Sequence, residues 1–129
     1  MNSSHSNISN VESFFDSILP KTMADKIFYG NLPKVIDSSW KTIVLVNVGT
    51  SYDRDAYATG RVLVYMFARP FNNGQKNIPA LSSMEKALDE AVRNAICDHY
   101  AIRIGTKYSD YDTTRNLHCS IFSIELTIS

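Results

Sequence analysis

Between residues 11 and 19 the apolar side chains fall at Val11, Phe14, Phe15, Ile18 and Leu19, the i, i+3, i+4, i+7, i+8 recurrence of one helix face. Ser9-Asn10-Val11-Glu12 reads as a capping box, in which the Ser hydroxyl takes a free N–H of the first turn and Glu12 reaches back. The helix is therefore predicted to start at Ser9 and to stop at Pro20. Residues 1–8, rich in Ser and Asn, read as a flexible arm ahead of a single domain spanning 9–129.

The pattern then changes period. Lys26-Ile27-Phe28-Tyr29 is short and β-leaning, and Gly30-Asn31-Leu32-Pro33 breaks regular structure after it. Lys41 to Val48 and Arg61 to Arg69 are rich in β-branched and aromatic residues and predict two strong strands forming a hairpin. Their connection, Gly49 to Gly60, is longer than an ordinary hairpin loop, so either the strands extend into it or it projects as a functional arm. Pro70 to Gly74 is turn chemistry. A second helix follows, with Pro79 in its first turn and a stripe of Leu81, Met84, Leu88, Ala91, Val92, Ala95 and Ile96. Ala101 to Ile104 predicts a short strand, Tyr108 to Asn116 a polar loop or hairpin tip, and Leu117 to Ile128 a closing strand. In its second half Phe122, Ile124, Leu126 and Ile128 alternate with Ser123, Glu125 and Thr127. The element order implies an α+β fold: a mostly antiparallel sheet of four to five strands with two helices packed on it.

The two central strands lack that one-sided alternation. Val62, Val64, Met66 and Ala68 point one way while Leu63, Tyr65 and Phe67 point the other, and Val44 and Val46 oppose Ile43 and Leu45. Both faces of the middle of the sheet therefore need cover. Two modest helices on one face would leave the other for a neighbouring subunit, since large apolar patches are unusual on monomers. One helix on each face would instead make a self-sufficient monomer.

Composition narrows the functional classes. A chain of 129 residues with 44% hydrophobic and 20% charged residues can bury about two-thirds of its unfolded surface in one core. Thirteen basic residues balance thirteen acidic ones, so no basic footprint for nucleic acid stands out, and no sequence-specific nucleic-acid binding is expected. The N-terminus lacks the basic and apolar regions of a secretory signal, and the longest apolar runs, such as Val62 to Ala68, are too short to span a membrane. Synthesis inside the cell is expected, with Cys97 and Cys119 as reduced thiols.

Cys97, His99, His118 and Cys119 supply the ligand types of a structural zinc, but His118 and Cys119 are adjacent on a predicted strand and should leave opposite faces. A Cys–His nucleophilic pair would need a lowered thiol pKa and an orienting group, for which the sequence has no signal. Asp53-Arg54-Asp55, Asp110 and Asp112 read as turn-forming carboxylates rather than a calcium loop. No phosphate-binding glycine loop or dinucleotide fingerprint is present. No cofactor is implied. Tyr52 and Tyr57 in the long connection, and Tyr108 and Tyr111 later, suit protein contact because they bury large area at low entropy cost.

The order of Lys26 to Pro33, Lys41 to Asn47, Gly60 to Ala68 and the Pro79 helix resembles the small tail completion or tail terminator proteins of long-tailed phages and prophages, over about residues 10 to 128. The resemblance implies a non-enzymatic homo-oligomeric ring, typically hexameric, made in the host bacterial cytoplasm. Such a ring caps the tail tube at the head–tail junction of the virion, with other tail or head–tail connector proteins as partners. The contact residues expected in such a role are Tyr52, Asp53, Arg54, Asp55 and Tyr57. The alternatives are a small-molecule or protein-binding α+β module and a Cys/His-dependent enzyme.

Overall fold

In the computed structural model, which describes residues 4–49, 52–54, 57–95 and 100–128, the helical stripes lie together on one side of a sheet. The elements are α1 (Ser4–Ile18), β1 (Lys26–Tyr29), β2 (Thr42–Val48), β3 (Tyr52–Arg54), β4 (Tyr57–Ala68), α2 (Ile78–Asn94), β5 (Tyr100–Asp112) and β6 (Leu117–Ile128). The strands run in the order β1-β2-β4-β6-β5, with β3 also paired to β4. Every pairing is antiparallel except β1 with β2, so the α+β architecture with a mostly antiparallel sheet holds. No helix among the described residues is long and apolar enough to cross a membrane.

Three boundaries differ from the pattern. Helix α1 begins at Ser4, ahead of Ser9, so the capping-box residues lie inside it. The connection between the central strands is largely strand: β4 starts at Tyr57, and β3 continues along the same side of β4 after β2 ends. Strand β5 runs through Tyr108 to Asp112, where a polar loop is expected from the pattern, and only residues 113–116 form the turn. An edge strand backed by β6 needs no apolar alternation, which is why its polar half does not look like a strand. Its register shifts between Ile104 and Lys107.

The main core lies between the helices and the even-numbered face of β2, β4 and β6. Phe15 and Leu19 of α1 and Leu81, Met84 and Leu88 of α2 meet Val44, Val46, Val64, Met66, Phe122 and Ile124, all buried. Of the α2 stripe, Leu81, Met84, Leu88 and Val92 are buried and Ala91 packs against the core, while Ala95 is the C-cap and Ile96 lies outside the described residues. The Tyr29 hydroxyl donates to the Asp16 carboxylate at 3.2 Å, tying β1 to α1, and burial together with that negative charge pushes the phenol pKa up.

The other face carries a second core of Ile43, Leu45, Phe67, Leu117, Cys119 and Ile121. No helix covers it. Parallel pairing of β1 and β2 requires the chain to cross over between them, and this connection, residues 30–41, crosses the second face and lays Leu32, Ile36 and Trp40 on it. At its start Gly30 takes a left-handed φ of +93° and donates its N–H to the Val46 carbonyl at 2.9 Å, a conformation glycine adopts without penalty. The arrangement with one helix per face is therefore not the one adopted; an irregular roof does that work on part of the second face.

Candidate functional site

The roof is fastened from beneath. Arg69, just past β4, donates through Nε to the Trp40 carbonyl at 2.6 Å and through Nη2 to the Asp37 carbonyl at 3.1 Å. Asp37 accepts from the Ser39 backbone at 2.8 Å and from its hydroxyl at 2.7 Å; these bonds and the Arg69 charge hold its carboxyl below the usual range. Trp40 meets Phe28 edge-on at 5.6 Å, and the Lys26 ammonium sits 5.8 Å from the Trp40 ring.

The roof ends before the sheet does. On β4, Phe67 is buried, whereas Leu63 and Tyr65 are only partly so. The Tyr65 and Phe67 rings stack at 6.0 Å with 7° between planes. Across β6, register puts Tyr108 of β5 on this same face opposite Ile121, and Tyr108 is 45% exposed. Burial raises the Tyr65 phenol pKa, and the nearby Cys119 and Tyr108 add to the shift. Further along, Arg103 donates through Nε to Glu125 at 2.9 Å, directly opposite it in the register. Leu63, Tyr65 and Tyr108 thus form a strip of partly exposed apolar and aromatic surface, with an ion pair on one side and the roof on the other. Beside the strip, β5 ends the strand order, and no described strand pairs with its outer side.

Of the expected contact residues, Tyr52, Asp53 and Arg54 form β3, opposite Thr59, Ala58 and Tyr57 of β4, and Asp55 lies outside the described residues. The later tyrosines are split. Tyr108 belongs to the strip, while Tyr111 packs against His118 at 4.6 Å, across from it in the register.

The Cys/His set is also divided. Cys97 and His99 lie outside the described residues. His118 and Cys119 occupy opposite faces of β6, as the alternation requires. The Cys119 thiol is buried, donates to the Ser120 carbonyl at 3.6 Å, and is pushed up to about 12 chiefly by desolvation. It is held as a thiol at neutral pH, the opposite of what a nucleophile needs. No group of three or more metal-ligating side chains comes together among the described residues. Asp110 accepts the Tyr111 N–H at 2.8 Å, and Asp112 accepts both the Arg115 N–H and its guanidinium, which lowers the Asp112 pKa.

Sequence reasoning passed over the roof. Its one signal was the fourfold spacing of Leu32, Ile36 and Trp40 in a segment with no regular structure, a spacing that reads as a weak helix until the pairing of β1 is known. No known protein-family model matches the chain, and no curated protein does.

Proposed function

We propose that this protein is a non-enzymatic assembly subunit whose partly roofed sheet face and open β5 edge are covered by a neighbouring copy, in the manner of a tail completion ring at a phage head–tail junction. The observation that carries the reading is the strip of Leu63, Tyr65 and Tyr108 left beyond the roof. Exposed aromatic surface flanked by charge is the composition that favours protein contact, because the aromatics supply area and the charges set register. The strip and the free strand edge adjoin, so one neighbour can use both. A head-to-tail contact of this kind closes into a ring when the rotation per copy divides a full turn. On this reading the further partners are tail-tube or connector proteins and the working location is the virion tail. The β3–β4 end of the sheet is then the part that reaches them.

Light scattering over a range of concentrations, with electron micrographs of the purified protein alone and mixed with tail tubes, tests the reading. Rings, or occupancy of tube ends, are expected for the natural chain and not for Tyr65→Asp, which places a charge in the contact. Deleting residues 52–57 removes β3 and only the first residue of β4, leaving the Thr42↔Ala68 to Val48↔Val62 ladder in place. That variant is expected to fold and yet fail to join its partner. A Tyr65→Asp protein that still forms rings would overturn the role of the strip. A natural chain that stays near 14.5 kDa and ignores tube ends would overturn the assembly reading and favour a monomeric binding module.

A further inference from the structure

Where β2 begins, β4 ends and α2 starts, five polar side chains from three connections line a cavity of about 420 Å³. Lys41 precedes β2, Arg69 follows β4, Asn72 sits in the following turn, Asn77 caps α2, and Asn116 sits in the β5–β6 turn at φ +53°. No carboxylate is among the lining residues. Neighbouring acids already have partners: Asp25 accepts the Lys41 and Thr42 N–H groups at 2.7 and 3.2 Å, Asp37 accepts from Ser39, and Asp112, at the start of the Asn116 turn, accepts from Arg115. The Lys41 ammonium has no hydrogen-bond or ion-pair partner among the described residues.

Two of the amides have their acceptor ends already taken. Asn77 Oδ1 receives the Ala80 N–H at 3.2 Å, and Asn116 Oδ1 receives the Tyr111 hydroxyl. What each has left to offer is its NH₂ group. Arg69 is held in place by its bonds to the roof carbonyls, which leave Nη1 uncommitted. The cavity is therefore walled by cations and amide donors with few acceptors. The first turn of α2 adds none, since the Ile78 N–H goes to the Lys76 carbonyl, Pro79 has no N–H, and Ala80 donates to Asn77.

We propose that this cavity binds a phosphate group. Its five donor-bearing side chains come from three connections, and a phosphate, with tetrahedral oxygens and a larger negative charge, offers them more acceptor sites than a planar carboxylate does. Pro70 and the half-exposed ring of Phe71 complete one wall and give room for an organic substituent, so a small phosphate monoester fits better than the bare ion. The site is independent of the assembly surface and requires no partner copy.

Backbone NMR of the isolated full chain, titrated with inorganic phosphate, then acetate, then chloride at matched ionic strength, tests the assignment. Phosphate is expected to give saturable shifts at Arg69, Asn77 and Asn116. Lys41→Ala removes a cation whose ammonium makes no structural bond. Asn77→Asp keeps a good helix cap while turning a donor into an anion, so folding survives. Each variant is expected to weaken phosphate binding about tenfold, the loss of one charge-assisted contact. No saturable response beyond that of chloride, equal binding of acetate, or unchanged affinity in both variants would overturn the proposal. None of these results depends on whether the protein forms rings.

Discussion

Cys119 shows how position governs chemistry at the scale of one residue. Its thiol rises from an ordinary 9.0 to about 12 because a thiolate would be stranded in the apolar second core. Between those two values the unfolded chain releases the proton while the folded chain keeps it, so stability is full below about pH 9 and falls as pH rises toward 12. The slope from this group approaches about 1.4 kcal/mol per pH unit. Urea titrations from pH 8 to 11 are expected to show that loss, and Cys119→Ala should flatten it. Peptide-level alkylation at pH 8 should leave Cys119 unmodified until the chain is unfolded. His118, one residue away, was legible from alternation alone as facing the other side; the depth of the Cys119 burial was not, because it depends on the neighbouring strands.

At the scale of elements, the hand-over from β2 to β3 decides what the long connection becomes. Gly49 donates its N–H to the Arg61 carbonyl at 2.7 Å, and a Cβ at Gly49 would lie 2.9 Å from that same oxygen. Backbone has to move to admit a methyl group there, so Gly49→Ala is expected to cost about 1–3 kcal/mol in denaturant unfolding, with faster amide exchange in β3. The central strands and both helical stripes were legible because their apolar residues recur over a few residues. The polar half of β5 was not, since Ser109, Asp110 and Asp112 form strand only because β6 lies beside them. The hairpin-or-arm alternative for residues 49–60 could not be decided from the chain either, because its polar residues fit both outcomes.

For the whole molecule, the two cores are opposite sides of the same strands. Ile43 and Leu45 face the roof while Val44 and Val46 face the helices, so neither side can open without exposing residues on β2 and β4. The single tryptophan, Trp40, sits in the roof and reports on it. Its fluorescence and the far-ultraviolet circular dichroism are therefore expected to follow one coincident transition in urea. A roof signal lost at lower urea than the helical signal would mean that the second face opens alone. The candidate strip was partly legible: the two-sided pattern announced an apolar second face, and Leu63 and Tyr65 were on it. That Tyr108 joins them from β5, and that the roof stops short of them, was not.

Periodicity by itself determined which side chains of α1, α2, β2, β4 and β6 share a face, because that information is carried by neighbours within a few residues and by the geometry of helix and strand. The covering of the second face was decided only by tertiary structure. Leu32, Ile36 and Trp40 become a roof because β1 pairs parallel to β2 and forces the chain across the sheet. A pairing between distant residues leaves no period in the sequence that lies between them.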